Sequence, residues 1–355
     1  MDRRTFLRAG AGVSALSLAG CAGLLESRAT GNAPVPENRP DGIYVPGHVE
    51  GMEMVDTGER GDFAAGLMYS YAHRFWTVTG NTVERTSIED GDDVHLMASI
   101  WDPETRTVLP ETGLSLEILR GGSLVSEEVI YPMLSQPMGF HYGANFELDG
   151  DGSYTVRLSV GGVSTRRTGS FRDRFGEPTT IDIPFEYSQS ARDELAYEVL
   201  DRGGEPGAVD PNSMGMMPDS FAPAVEELPG TVLGSGRSNG AVLVATALDS
   251  PPAGVGGEGG YLAVSARTRY NRMVVPAMGL AGAVRRDGES VFDGELVRTL
   301  DPDLGYHYGA VVDGVESGDE LTLTPTTQPQ TARHEGYETA FGGLQGGMEP
   351  VTLSA

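Results

Sequence analysis

Four of the six histidines, His48, His73, His95 and His141, fall in the first half of this 355-residue chain, and methionines stand close to them. Met133 and His141 are separated by a proline-containing turn in Tyr131-Pro132-Met133-Leu134-Ser135-Gln136-Pro137-Met138-Gly139-Phe140-His141, which can return a thioether beside an imidazole. His95 and Met97 lie two apart in the run Val94 to Trp101, so on a strand they share a face. Imidazole with thioether is a soft-to-borderline donor set that suits copper, the reduced ion above all, better than magnesium or calcium. The same residue types also serve plain packing, with methionine filling core beside a hydrogen-bonded ring. Residue type alone leaves both open.

Weaker candidates surround this set. His48, Met52 and Met54 precede or open the first predicted strand, either as an auxiliary metal patch or as surface and packing residues. His73 follows the aromatic run from Tyr69, which is most simply a strand with one apolar face. Met214, Met216 and Met217 cluster in a Gly/Pro-rich stretch, able to hand on copper(I) or to act as an apolar plug.

The elements that must position these residues are predicted to be strands. Short alternating runs such as Val94 to Trp101 and Tyr154 to Val160 are bounded by turn signals such as Asp149-Gly150-Asp151-Gly152. Fifty glycines and 22 prolines fit the many turns of an all-β protein. The clearest helix candidate is Ser190 to Leu200, opened by a capping-box-like sequence, and Gly203 to Pro223 is expected to be a linker.

An internal repeat organises the chain. A shift of 166 residues superimposes His95 to Ala144 on Tyr261 to Ala310 without a gap, and sixteen of those fifty positions are identical. The identities include His141-Tyr142-Gly143-Ala144 and His307-Tyr308-Gly309-Ala310. Upstream, Pro46-Gly47-His48-Val49-Glu50-Gly51 echoes Pro229-Gly230-Thr231-Val232-Leu233-Gly234, with the second copy about seventeen residues shorter between. Two copies of one domain follow, each of a size that suits a two-sheet sandwich. The expected organisation is a signal at 1–20, a flexible spacer at 21–44, copy one at 45–188, a helix and linker at 189–228 and copy two at 229–355.

Composition narrows the functions. There are 51 acidic against 25 basic residues, no lysine, and a net charge of −26. That surface repels phosphates, and the arginines are scattered, so nucleic acid is not an expected partner. Acid excess with lysine eliminated also keeps a protein hydrated in concentrated salt, pointing to a halophilic source. Asp2-Arg3-Arg4-Thr5-Phe6-Leu7 forms a twin-arginine export pattern, and Leu18-Ala19-Gly20 precedes the one cysteine, Cys21, read as a lipidation site. The expected location is therefore the outer face of the cytoplasmic membrane, held there by a lipid anchor. With Cys21 lipidated, disulfides and thiolate metal sites are excluded. No phosphate loop and no His-Glu-x-x-His is present, so an enzyme is not expected.

Asp93-Val94-His95-Leu96, then Pro132-Met133, then His141-Tyr142-Gly143-Ala144-Asn145 and the turn Gly150-Asp151-Gly152-Ser153-Tyr154-Thr155-Val156 together resemble the periplasmic metal-binding proteins of high-affinity ferrous-iron uptake systems. The resemblance covers about Val45 to Tyr187, and its most specific part is the Pro-Met to His-Tyr-Gly-Ala-Asn segment. It implies an immunoglobulin-like β-sandwich, usually a homodimer, that binds copper and by implication iron. It further implies His95, Met133 and His141 as ligands and a membrane permease as the partner. Two departures stand out. Met97 occupies the place of the family's glutamate, which favours copper(I). Thr165-Arg166-Arg167-Thr168 stands where the family has a histidine pair.

In copy two the corresponding segment, Thr331-Ala332-Arg333-His334, keeps one histidine, while Tyr261 replaces His95 and Thr299 replaces Met133. These losses are complementary. If the copies pack as a pseudo-two-fold pair, His334 reaches across to complete the site of copy one; otherwise His334 and His307 are relics. The expected function is capture of copper or iron outside the cell for a membrane uptake system. The alternative is a tandem sandwich with a structural or adhesive role and no metal. An internal pseudo-dimer is expected, with a further homo-oligomer left open.

Overall fold

The protein is described by a computed structural model covering residues 34–213, 215–345 and 347–355. The export signal, Cys21 and Met214 lie outside the described residues. The fold is all-β, of the β-sandwich type, as expected. The described strands form two sandwiches and one short two-stranded ribbon.

The first sandwich has a four-stranded sheet ordered Thr179–Tyr187, Gly152–Val160, Leu114–Arg120, Ser123–Val129. Its strands show the period-two pattern of a half-buried sheet: Tyr154, Val156, Leu158 and Val160 face the core, and the residues between them face outward. The facing sheet is eight-stranded. Its order is Glu53–Arg60, Phe63–Tyr71, Val94–Trp101, Gly139–Phe146, Tyr131–Ser135, Ala332–Arg333, Phe75–Thr79, Thr82–Thr86. Its central strands are buried on both faces. Val94, Leu96, Ala98 and Ile100 enter the sandwich core, while the opposite face, His95, Met97, Ser99 and Trp101, is closed off from water by other parts of the chain.

The second sandwich repeats the plan with a six-stranded sheet, Arg166–Arg167, Val297–Asp301, Gly305–Val312, Gly260–Thr268, Ala241–Leu248, Thr231–Ser238. Its four-stranded partner is Glu289–Glu295, Gly279–Arg286, Glu320–Thr327, Val351–Ser354. The halves are joined by reciprocal strand exchange. Arg166–Arg167 of the first half adds in parallel to Val297–Asp301, and Ala332–Arg333 of the second adds in parallel to Tyr131–Ser135. The 166-residue shift converts one exchange into the other, as a pseudo-two-fold axis requires. Arg333 is wholly buried at this crossing, donating to the Ala340 carbonyl at 2.6 Å and to Gln328 Oε1 at 2.8 Å. Arg167 does the equivalent to the Arg174 carbonyl.

The hairpin Phe75–Thr79 and Thr82–Thr86 has no counterpart among the described residues of the second half, and it accounts for most of the length difference between copies. It closes over the exchanged strand, Trp76 pairing with Arg333.

Three sequence expectations need correction. The helix predicted from Ser190 to Leu200 is only one turn, Gln189–Asp193, capped by Ser188. Beyond it Tyr197–Val199 pairs with His48–Glu50 as a ribbon, because a β-prone segment finds an open partner there. The spacer expected to run to residue 44 is already packed at its end. Ile43 and Tyr44 are buried, and Tyr44 donates to Glu338. The stretch Gly203 to Pro223 is fastened too, with Gln136 accepting from the Val209 amide at 2.8 Å and Asn271 donating to its carbonyl at 3.0 Å. Among the described residues no helix is long and apolar enough to cross a membrane.

Candidate metal centre

The alternation of the Gly139–Phe146 strand sends Phe140, Tyr142, Ala144 and Phe146 into the core and leaves His141, Gly143 and Asn145 on the other face. His141 is the cross-strand partner of Met133, and Asn145 of His95, so these side chains meet as opposed pairs on one surface. Tyr142 anchors the strand from the core side by accepting from the Thr112 amide at 3.0 Å. Gly143 leaves the space between: a Cβ there would lie 2.7 Å from His95 Nε2 and 3.1 Å from Met133 Sδ. His334 arrives from the second half directly after the exchanged strand, its amide donating to the Leu134 carbonyl at 3.0 Å. Its ring lies 5.1 Å from that of His141 and 5.5 Å from that of His95. His73, carried by the lead-in to the extra hairpin, packs 4.1 Å from the His95 ring.

Hydrogen bonds fix which ring nitrogens are bare. His141 Nδ1 lies 3.1 Å from the Gly139 carbonyl, which only accepts, so the proton sits on Nδ1. His95 Nδ1 donates to Asn145 Oδ1 at 2.8 Å. That amide is oriented by donation from its Nδ2 to the His73 carbonyl at 3.0 Å and to Asp92 at 3.3 Å. His73 Nδ1 faces the Tyr71 carbonyl at 3.0 Å and Glu50 Oε2 at 3.2 Å, leaving its Nε2 to accept from His334 Nδ1 at 3.1 Å. Three nitrogens remain: Nε2 of His95, His141 and His334 are buried without any hydrogen-bond partner. A buried polar atom left unmatched costs about 1–3 kcal/mol, so three on neighbouring rings mark a place for a ligand.

Among the described residues, the histidines whose donor atoms lie within 4.8 Å of one another are His73, His95 and His334. His141 stands outside that group, its ring next to that of His334. The lone pair of His73 is engaged by His334, whereas His141 Nε2 is bare.

Burial holds the rings neutral. It pushes His141 down to about 4 and His95 and His334 well below the usual histidine value, helped in the latter two by the neighbouring rings. Burial pushes the Glu50 carboxyl up, but His73 and then His48 outweigh it and hold the group below its usual value. Glu50 thus stands as a carboxylate one hydrogen bond beyond His73, with His48 Nε2 donating to its other oxygen at 3.2 Å.

His48 itself stacks on Tyr197 and does not join the cluster. Met97, read from sequence beside His95, packs with Met68, Trp101 and Met217, with Met52, Met54 and Met138 at the margin. Met216 is exposed. Sequence reasoning missed the parts played by Glu50, Asn145 and Gly143, and it took His73 as no more than an auxiliary candidate. The segment that copy two lacks was the available signal for His73.

The equivalent place in the second half is filled by an arginine. Arg166, at the position of Ala332, donates to Thr299 Oγ1 at 3.0 Å, to the Tyr261 hydroxyl at 2.7 Å and to the Gly309 carbonyl at 2.9 Å. His307 Nε2 is matched with the Tyr261 hydroxyl at 3.0 Å. Thr168, at the position of His334, donates to Asp301. Both ring nitrogens of His307 are matched, and among the described residues no bare imidazole nitrogen remains there. Gly236-Arg237-Ser238-Asn239-Gly240 has the spacing of a hydrolase nucleophile elbow, but it forms a hairpin with Ser238 donating to the Glu349 carbonyl, not a strand-to-helix turn.

The family model described as Domain of unknown function (DUF7350) matches residues 70–169 and 226–354. No curated protein matches the chain. Among solved structures, FetP of uropathogenic Escherichia coli strain F11 in its "as isolated" form is 19% identical, covering 40% of this chain and 96% of that one at a TM-score of 0.27. A copper-bound single-residue variant of the same FetP is 19% identical over 39% and 97%, at a TM-score of 0.26.

Proposed function

The chain belongs to the family described as Domain of unknown function (DUF7350), and since that description names no activity, we propose from the pocket itself that this is a metal-binding protein whose cargo is copper, preferentially copper(I). The observation that carries this is the set of three bare, buried Nε2 atoms of His95, His141 and His334 beside the thioether of Met133. Three imidazoles and a thioether suit copper(I). Magnesium and calcium prefer oxygen ligands, and none stands in this donor set; imidazole also serves iron(II), so it is the Met133 thioether that favours copper(I) over iron(II).

The remaining residues hold those donors in place. Asn145 aims His95, the Gly139 carbonyl aims His141, and Glu50 through His73 aims His334, which is the outer-partner arrangement that fixes tautomers in metal sites. Because the rings are already neutral, binding displaces no imidazole proton at neutral pH. The ion brings one positive charge into an uncharged pocket, and the Glu50 carboxylate two hydrogen bonds away offsets it. We place the protein on the outer face of the membrane, on the strength of the twin-arginine pattern and Cys21, capturing copper there for a membrane permease.

Titration of the chain without its signal and with Cys21 replaced, using copper(I), copper(II) and iron(II) in concentrated salt, tests this against His141→Ala. One tight copper equivalent, lost in the variant, is expected. No binding by either protein would leave a tandem sandwich without metal and overturn the proposal.

A further inference from the structure

A row of thioethers crosses the sheet beside the histidine pocket. Met54 is the cross-strand partner of Met68, and Met68 of Met97. The three therefore stand side by side on one face of three adjacent strands, at the Cβ spacing of about 4.5–5.5 Å typical of opposed pairs. Met217 lies over the row, its sulfur where a Cβ on Gly66 would fall. Met52 and Met138 pack at the ends. Met52 and Met54 are partly exposed at the outermost strand, whereas Met97 and Met138 line a cavity of about 90 Å³ that His73 and His334 also line. The row thus runs from the sheet edge to the mouth of the pocket.

Core filling alone does not explain so many methionines in one place. The opposite face of the same strands is packed with Leu67, Leu96, Ala98 and Ile100. The second half provides an internal control. Its equivalent row is Val232, Thr246 and Ala263, paired in the same register, and Leu304 stands for Met138. The half whose pocket is filled by arginine has no sulfur in the row, so the two features are present together and absent together.

We propose that Met54, Met68, Met97 and Met138 form a copper(I) entry track that takes the ion at the sheet edge and passes it to the histidine pocket. This rests on the reading of the pocket as a metal site. Thioethers are uncharged, soft and unprotonated at any working pH, so they attract copper(I) and ignore sodium, potassium, magnesium and calcium. No electron or proton moves in the transfer; the ion exchanges one thioether for the next and then for imidazole. The track filters soft from hard cations before the pocket is reached.

The test uses stopped-flow transfer of copper(I) from its bicinchoninate complex, without oxygen, to the full chain and to Met54→Leu/Met68→Leu, a volume-conserving pair outside the pocket. At least tenfold slower loading is expected, with the final affinity unchanged and zinc(II), which takes imidazole but not thioether, loading at the unaltered rate. Equal copper(I) rates would overturn the track, as would an equal slowing of zinc(II). In a second measurement the methionine methyl groups are labelled with carbon-13 in His141→Ala/His334→Ala. Copper(I) is expected to shift the row's methyl signals with the pocket disabled, and unmoved signals would overturn the proposal. If the unaltered chain binds neither copper(I) nor zinc(II), the pocket reading fails first and the track falls with it.

Discussion

Ala332 lies beside Met133 in parallel register, and the image of this pair under the 166-residue shift, Arg166 beside Thr299, is formed as well. The two residues at the image positions decide the character of the two pockets. Alanine leaves the space over Gly143 open to His95, His141 and Met133; arginine fills the equivalent space and satisfies Tyr261, Thr299 and the Gly309 carbonyl. One exchange therefore delivers a donor, His334, and the other delivers a plug.

His334→Ala is expected to lower copper affinity by more than about a hundredfold, since removing even an outer partner of a ligand costs about 10–100-fold. His307→Ala, at the plugged pocket, is expected to leave affinity unaltered. Equilibrium competition with a chromophoric chelator measures both. Equal affinity in His334→Ala and the unaltered chain would show that the second half contributes no donor.

Gly143→Ala tests the open space itself. Gly143 has no positive φ, so alanine suits its backbone, but the new Cβ would lie 2.7 Å from His95 Nε2 and 3.1 Å from Met133 Sδ. Circular dichroism should stay that of a β-protein while copper affinity falls at least about tenfold, a loss of about 1.4 kcal/mol. Full affinity in a folded Gly143→Ala would mean that the ion sits elsewhere.

Much of this arrangement was legible in the residues. The gap-free repeat exposed the duplication, and alternation put His95 and Met97 on one face. What the sequence could not give was tertiary. The role of His73 depends on a hairpin that one copy has and the other lacks, and its neighbour Glu50 belongs to a ribbon formed with Tyr197–Val199. Arg166 looked like a missing histidine because its function, hydrogen bonding Tyr261 and Thr299, exists only after the strands exchange. The spacing of Met97 to His95 gives their shared face but not its neighbours, which the strand pairing sets by placing Met97 beside Met68.

Acid should destabilise the metal-free protein in a defined window. Burial holds His141 and His307 at about 4, against 6.5 for an ordinary ring, with His95 and His334 also lowered. The unfolded chain then takes up protons before the folded one, so stability is complete above pH 6.5 and drains as pH falls through the folded values near 4. Urea midpoints should be flat from neutrality upward and fall steeply below 6.5. A midpoint unaltered down to about pH 4.5, most of the way through the expected decline, would contradict neutral buried rings.

The symmetry makes the strongest demand on this account, because the second pocket should be convertible. Arg166→Ala removes the plug, Thr168→His supplies the image of His334, Tyr261→His that of His95, and Thr299→Met that of Met133. Val311→Asn restores the amide that aims the new imidazole, and His307 already matches His141. Arg166→Ala alone should cost about 1–3 kcal/mol, the price of leaving buried polar partners unmatched, and should not alter copper binding. The five changes together are expected to raise the copper stoichiometry by one equivalent, with the second site sensitive to His307→Ala and the first to His141→Ala. A folded five-fold variant that still binds a single equivalent would mean that donor identity and exchange geometry do not suffice, and that the His73 hairpin, absent from the second half, is needed to build the site.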